Sequence, residues 1–241
     1  MCTLTAINLA NGGEPGGYRI VMNRDELRTR SRSTPPEWRS TGDVRAIWPV
    51  DPDSGGTWIG AAETGLTLAL VNSFLEPMPE LPADIVSRGT IIPALINSQG
   101  VEEVVDRLSV MQIERFAPFR LLAIDLVGDE AGTIWPRMVL MDWNRYELAV
   151  ETHLDGPVCL VSSGLGDSKV APRIELFEEM LVSKGLTPEN QDAFHAHGWD
   201  DRREISVMLS RELAWTESVT VVECRLSDDE AVQMTYRSIE P

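Results

Sequence analysis

The chain has 241 residues, of which 43% are hydrophobic and 24% are charged, and its formal net charge at pH 7 is −17. This composition is typical of a globular protein with enough chain for a sizeable core. The acidity argues against nucleic acid and anionic membrane surfaces as partners, because both require clustered Lys and Arg. No apolar stretch is long enough for membrane insertion and no signal peptide is evident, so we expect a cytoplasmic protein and leave its oligomeric state open.

The N-terminal third predicts two hairpins with a long excursion between them. Residues 3–9 and 18–23 alternate apolar and polar positions around the turn-rich stretch NGGEPGG, which predicts a β-hairpin. Residues 24–54 are rich in Arg, Ser, Pro and Asp, and predict a long, partly ordered excursion over the surface. Residues 55–72 then predict a second pair of strands.

The middle of the chain predicts a helical block and then a set of strands. Residues 86–108 have helical spacing, interrupted near Pro93 and again at 98–100. Residues 119–152 predict three successive antiparallel strands, and residues 157–163 predict another.

The C-terminal part predicts a helix from Pro172, a second helical or irregular stretch, and two closing strands. The apolar face of the first helix is expected to contain Ile174, Phe177, Met180 and Leu181. Strands dominate and βαβ alternation is absent, so the predicted fold class is α+β with antiparallel sheets. No linker divides the chain, and we expect a single domain over residues 1–241.

The three cysteines differ in their surroundings. Cys159 and Cys224 lie in apolar, strand-like runs and are interpreted as small buried hydrophobes. No CxxC pair is present, so the spacing does not indicate a zinc knuckle or a dithiol redox motif. Cys2 directly follows the initiator methionine at the start of the first strand. It is either an incidental small residue or a nucleophile that becomes N-terminal when Met1 is removed.

An N-terminal cysteine can act as its own nucleophile–base pair. The free α-amino group has an ordinary pKa of about 7.7–8.0, so it can accept the thiol proton at neutral pH. The stretch MNRDEL at 22–27 follows the second strand, across the hairpin from Cys2. There, Asp25 could hold the amino group and Arg24 could favour the thiolate. The alternative is a polar exit from the strand that makes turn hydrogen bonds.

Three further polar groups have competing interpretations. Asn72 ends an apolar strand and is either an oxyanion donor or a turn former. His195 and His197 lie two residues apart among aspartates, which suggests either metal ligands in an extended segment or, more simply, a solvated helix end. The arginines of 28–32 could hold an anionic substrate or belong to a solvated loop.

Several stretches together resemble the NRDE family, the relatives of transport and Golgi organisation protein 2. They are MC at the start, NRDE at 23–26, GGTWIG at 55–60, GLTLALVN at 65–72 and SRG at 87–89, with a weaker echo at 161–173. The resemblance implies a four-layer αββα N-terminal-nucleophile hydrolase fold, with two antiparallel sheets between helical layers. It is similar to the fold of the choloylglycine hydrolases and penicillin V acylases, which cleave amides with a cysteine.

The resemblance also implies roles for individual residues. Cys2 falls on the nucleophile, Asp25 on the residue that holds the amino group and Asn72 on the oxyanion donor, with Arg24 beside them. Substrate-binding positions fall on Asn23, Trp58, Ser162 and Ser163. Two positions depart from the acylases, because Met22 replaces their arginine and Ser163 replaces their second active-site asparagine.

Two functions follow from the resemblance. The first is a cysteine amidohydrolase acting on a linear, non-peptide C–N bond, which needs neither metal nor cofactor. The second is a non-catalytic protein that binds or traffics haem or lipid on the same scaffold. The expected partner is therefore a small acyl amide or a hydrophobic ligand.

Overall fold

The computed structural model describes residues 2–11, 14–128, 134–152, 156–225 and 231–240. Within them, twelve strands form two sheets whose neighbouring strands are all antiparallel. The strands are β1 (Cys2–Asn11), β2 (Glu14–Leu27), β3 (Thr34–Thr41), β4 (Val44–Val50), β5 (Ile59–Ala62), β6 (Thr67–Asn72), β7 (Phe119–Gly128), β8 (Ile134–Trp143), β9 (Leu148–Glu151), β10 (Val158–Ser162), β11 (Ala214–Arg225) and β12 (Val232–Ser238). The first sheet has the order β10-β1-β2-β11-β12 and the second runs from β3 to β9 in chain order.

The helices lie in two blocks, between β6 and β7 and between β10 and β11. They are α1 (Ile91–Leu95), α2 (Val101–Ser109), α3 (Pro172–Phe177), which continues into a π-helical stretch at Glu178–Val182, and α4 (Pro188–His195). Short 3-10 turns occur at Arg88–Thr90, Ile113–Arg115, Asp167–Val170 and Arg203–Ile205. In the part of the chain that the structure describes, no helix has the length and apolar character needed to cross a membrane.

The strand β1 shows how the sequence builds the layers. Successive side chains of a strand point to opposite faces of its sheet. Cys2, Leu4 and Ala6 therefore join the apolar core between the two sheets, whereas Ile7 joins the core beneath the helices α3 and α4. The thiol of Cys2 is thus directed into the gap between the sheets, at one end of a central strand.

The layers follow the predicted αββα order. The helices α1 and α2 pack on the outer face of the second sheet around a core that includes Ile92, Leu95 and Val104. The helices α3 and α4 pack on the outer face of the first sheet, where Phe177 and Phe194 make an edge-to-face pair. The predicted sandwich of two antiparallel sheets between helical layers is confirmed.

The predicted partly ordered excursion at 24–54 contains strands that the sequence did not predict. The strand β2 continues to Leu27, and β3 and β4 form a hairpin at the edge of the second sheet. The strand β3 has no buried residue, because an edge strand is open to solvent. Its polar composition therefore gives no apolar alternation from which a strand could be predicted. Only β4 contributes to the core, through the buried run Ala46–Pro49.

The predicted helical details need two corrections. The face of α3 that meets the sheet contains Arg173 and Phe177, whereas Ile174 is 41% exposed. Pro93 does not interrupt its helix but lies in the first turn of α1, where the backbone N–H groups have no partner within the helix. The predicted interruption at 98–100 does separate α1 from α2.

Candidate active site

Cys2 is fixed by pairing on both sides of β1. In register it lies opposite Arg24 of β2 and Ser162 of β10. Its backbone N–H donates to the Oγ of Ser162 at 3.0 Å, and its side chain is buried. Residue 2 is therefore held in the sheet and is not part of a mobile chain end.

The Cys2 thiol lines a pocket of about 300 Å³ that opens between the two sheets. Five of the residues to which the family resemblance gives a role line it together. They are Cys2, Arg24, Asp25, Trp58 and Asn72. The structure thus brings the four predicted catalytic residues and one predicted substrate-binding residue to a single cavity.

Burial decides the protonation of the Cys2 thiol. Loss of water contact raises the pKa of Cys2 above its ordinary value. The Asp25 carboxylate also raises this pKa, whereas Arg24 and a hydrogen bond from the backbone N–H of Asp25 lower it by less than burial raises it. The thiol is therefore protonated at neutral pH, and any nucleophilic role requires a base.

Asp25 is buried at the junction of the first sheet and α3. Its Oδ1 accepts a hydrogen bond from the Thr216 hydroxyl at 2.7 Å, and its Oδ2 lies 3.6 Å from Nη1 of Arg173. Burial raises the pKa of the Asp25 carboxyl, while Arg173 and Thr216 act in the opposite direction. The carboxylate is thus held in one orientation beside the start of β1.

Arg173 is fully buried, which is rare for an arginine. Its guanidinium donates to the Thr3 hydroxyl at 2.6 Å and to the carbonyls of Ile205 and Ser206 at 2.9 and 2.7 Å. Sequence reasoning missed this residue, because the helix was analysed only for apolar spacing.

Arg24 lies on the pocket wall among carboxylates. It pairs with Glu26, Glu217 and Asp51 at 3.0–3.3 Å, and its guanidinium stacks 4.6 Å from the ring centroid of Trp58. These partners hold the Arg24 charge on the wall, so it influences the thiol from a distance and carries little free charge for a ligand.

Asn72 reaches the pocket from the opposite sheet. It is the last residue of β6, half-buried, and pairs in register with Phe119. The strand β6 packs against β1 and β10 across the gap. Asn72 therefore lines the same cavity as Cys2 but from another wall.

Three predicted substrate-binding residues do not line the pocket. Asn23 alternates to the helix side of β2, where its amide donates to the carbonyls of His195 and Val207 at 2.9 and 3.0 Å. The Oγ of Ser162 is used by the Cys2 backbone, and that of Ser163 accepts from the Leu165 N–H at 3.2 Å. These residues position others within the fold.

Comparison with known proteins identifies the family of this chain. The family model described as transport and Golgi organisation 2 matches residues 1–204. The chain belongs to this family. No curated protein matches the sequence.

Solved structures resemble this family member in fold. The Caenorhabditis elegans ortholog of N-acylethanolamine-hydrolyzing acid amidase matches with a TM-score of 0.63 and 13% identity, and the alignment covers 100% of both chains. Two variants of the conjugated bile acid hydrolase from Clostridium perfringens each have a TM-score of 0.48, at 13% and 12% identity. These alignments cover 98% and 97% of this chain and 92% of each hydrolase. The likeness to the worm protein supports the predicted N-terminal-nucleophile hydrolase fold.

The histidine region of this family member differs from the predicted solvated helix end. His195 is only 2% exposed, and its ring nitrogens contact Asn23 Oδ1 at 2.8 Å and Thr5 Oγ1 at 2.7 Å. Burial, with nearby Arg19 and Arg173, lowers the pKa of His195 to about 3. Among the described residues, no group of three or more His, Cys, Asp and Glu side chains is arranged to hold a metal ion.

The 28–32 arginines make separate surface contacts. Arg28 and Arg32 stack on the Trp215 ring, and Arg30 pairs with Asp51 and Asp53. Of these three arginines, Arg30 alone lines the pocket. Another arginine of the pocket wall, Arg88, has no role predicted from the sequence, although it lies in the SRG stretch that resembles the family.

Proposed function

We propose that this protein is a cysteine amidohydrolase that cleaves linear, non-peptide C–N bonds. The observation that carries the proposal is the position of Cys2. Its thiol lines a pocket that also contains Asn72, while its backbone nitrogen is fixed by Ser162 at the end of a central strand. The fold of the worm amidase is consistent with this chemistry.

The proposed reaction requires that Cys2 carry a free α-amino group. The nitrogen that now donates to Ser162 Oγ would then be the amine, already placed beside its own thiol. Removal of Met1 by an aminopeptidase supplies this amine, because cysteine is small enough to follow the cleaved methionine. The amine replaces the base that the buried thiol otherwise lacks.

The chemistry proceeds in two acyl transfers. The Cys2 α-amine accepts the thiol proton as the sulfur attacks the amide carbonyl, and the Asn72 amide donates to the developing oxyanion. The C–N bond then breaks, the leaving nitrogen takes the proton from the α-ammonium, and a thioester remains. Water attacks the thioester, its proton passes through the amine to the sulfur, and the carboxylic acid leaves.

Asp25 supports this cycle without touching the substrate. Its carboxylate is anchored by Thr216 and Arg173, and its backbone N–H donates to the sulfur of Cys2. The carboxylate favours the protonated α-amine, while the backbone N–H stabilises the thiolate. Asp25 is therefore proposed as a positioning residue.

The likeness to the worm ortholog of an N-acylethanolamine-hydrolyzing acid amidase provides the first substrate class to test. N-Acylethanolamines are linear amides, so saturated N-acylethanolamines of increasing chain length form the first panel. The purified protein is expected to release free ethanolamine from at least one member, and Cys2→Ala is expected to abolish release. Cys159→Ser, which changes a cysteine outside the pocket lining, serves as the control and should retain activity. Equal release by the Cys2→Ala protein would overturn the proposal.

The second candidate is a haem- or lipid-binding protein without catalysis. The observation that favours it is Ser163, whose hydroxyl is directed to the Leu165 N–H and does not reach the pocket, so the donor of the acylases has no counterpart there. Neither His195 nor His197 lines the pocket, which leaves Cys2 as the haem ligand to test. Saturable haem or fatty-acid binding, with no hydrolysis, would favour this function over the first.

A further inference from the structure

Two glycines build one wall of the pocket. The Thr57 N–H donates to the Gly89 carbonyl at 3.0 Å. A Cβ on Gly56 would lie 2.6 Å from the Gly89 Cα, and a Cβ on Gly89 would lie 3.0 Å from the Gly56 Cα. Neither position has room for a side chain unless the backbones separate. The contact therefore joins the GGTWIG and SRG stretches and places Trp58 and Arg88 on the same cavity.

Arg88 differs from the other arginines of this pocket in its partners. Arg24 and Arg30 are each paired with at least three carboxylates. Arg88 donates to the Pro118 carbonyl at 2.7 Å, and no carboxylate among the described residues lies within ion-pair distance of it. Burial lowers the pKa of Arg88 to about 10, which leaves the side chain charged at neutral pH.

Trp58 supplies a donor that has no acceptor among the described residues. The side chain is only 7% exposed, and its indole Nε1–H has no hydrogen-bond partner within the described part of the chain. Buried Trp N–H groups usually have an acceptor, because an unsatisfied buried donor is costly. The pocket wall thus contains a half-buried guanidinium that has no carboxylate partner among the described residues and a buried N–H that has no acceptor among them.

We propose that Arg88 and Trp58 form a subsite for an oxyanion, a carboxylate or a phosphate, carried by the ligand. The guanidinium fork matches either group, and the indole N–H adds a donor. The inference deepens the proposed function, on which it rests, because it predicts that acyl amides with an anionic group near the scissile bond bind more tightly than neutral ones such as the N-acylethanolamines. Since the chain as a whole carries a net charge of −17, recognition of an anion requires such a local site.

The test measures ligand binding in a protein that cannot turn over. In the Cys2→Ala background, calorimetric titrations compare decanoate, decyl phosphate and decanamide, which share one alkyl chain. We expect at least one anion to bind about tenfold or more tightly than decanamide, the effect of a charged hydrogen bond. Arg88→Gln should reduce this ratio of affinities below about twofold. Trp58→Phe, which keeps an aromatic side chain but lacks the N–H, should reduce the ratio partly.

The control is Arg203→Gln, which removes one positive charge from a side chain that is 74% exposed and outside the pocket lining. It should leave the ratio unchanged, and thermal unfolding verifies that each variant is folded. The anion that binds more tightly identifies the group as carboxylate or phosphate. Equal or undetectable binding of all three probes, or a preference for anions that survives in a folded Arg88→Gln, would overturn the inference. Because this readout needs no hydrolysis, an inactive wild-type protein would count against the proposed function alone.

Discussion

The hydroxyl of Ser162 accepts the backbone N–H of Cys2 at 3.0 Å, across the pairing of β10 with β1. The partner of Cys2 on the other side is Arg24 of β2. Cys2 is thereby held in place by a side-chain hydrogen bond and by strand pairing on both sides. This relationship places the nitrogen that the proposed mechanism uses as its base.

Ser162→Ala tests this positioning. Loss of the hydroxyl leaves the Cys2 nitrogen without its acceptor, so we expect amidase kcat to fall about tenfold with little change in KM, as for the loss of one hydrogen bond. The control is Ser218→Ala, which removes a fully buried hydroxyl that has no hydrogen-bond partner in the described residues. Equal kcat values for the two variants would contradict the role of Ser162.

Asn72→Leu tests the oxyanion donor. Removal of such a donor typically reduces kcat by about 10²–10³-fold, because its hydrogen bond stabilises the negative charge that develops in the transition state. The rate at which iodoacetamide alkylates Cys2 should not change, since alkylation forms no oxyanion. A reduced alkylation rate that parallels the loss of kcat would instead indicate that Asn72 supports the thiol.

Arg173→Met tests the buried charge pair with Asp25. Both side chains are inaccessible to solvent, so removal of the cation leaves the carboxylate with less compensation. Breaking a buried ion pair typically costs about 3–5 kcal/mol of unfolding free energy. Urea unfolding at pH 7 measures the loss, with Arg203→Met as the exposed control. A loss under about 1 kcal/mol would show that the pair contributes little.

Acid should destabilise the protein through His195. Its pKa is about 3 in the fold and 6.5 as the ordinary value, so the unfolded state binds the proton first as pH falls. The stabilisation is complete above pH 6.5 and is lost toward pH 3, by at most about 1.4 kcal/mol per pH unit. Unfolding free energies at pH 7, 6, 5 and 4 measure this slope. His195→Gln carries no titrating ring and should have a shallower slope; an unchanged slope would assign the effect elsewhere.

Local patterns in the sequence were sufficient for much of the fold. Alternation predicted β1 and β2, and placed Cys2 across the hairpin from Arg24 and Asp25. It failed for β3, because an edge strand exposed to solvent has no apolar face to reveal its period.

The polar layer beneath the helices was not predictable in the same way. Arg173, Asn23 and His195 are buried because each makes hydrogen bonds to a residue on another element. Arg173 of α3 donates to Thr3 of β1, and Asn23 of β2 contacts His195 of α4. Such partners are distant in sequence, and a pattern of apolar spacing contains no information about them. Arg88 illustrates the same limit, since its role depends on which carboxylates happen to lie nearby.

The central claim is that Cys2 is a nucleophile with a free amine. The most direct measurement is the intact mass of the purified protein before and after brief treatment with iodoacetamide at neutral pH, with the label mapped by peptide digestion. The account predicts the loss of one methionine and rapid labelling of Cys2 ahead of Cys159 and Cys224, whose pKa values burial raises to about 12 and about 11. A retained Met1, or a Cys2 labelled no faster than those two cysteines, would contradict it.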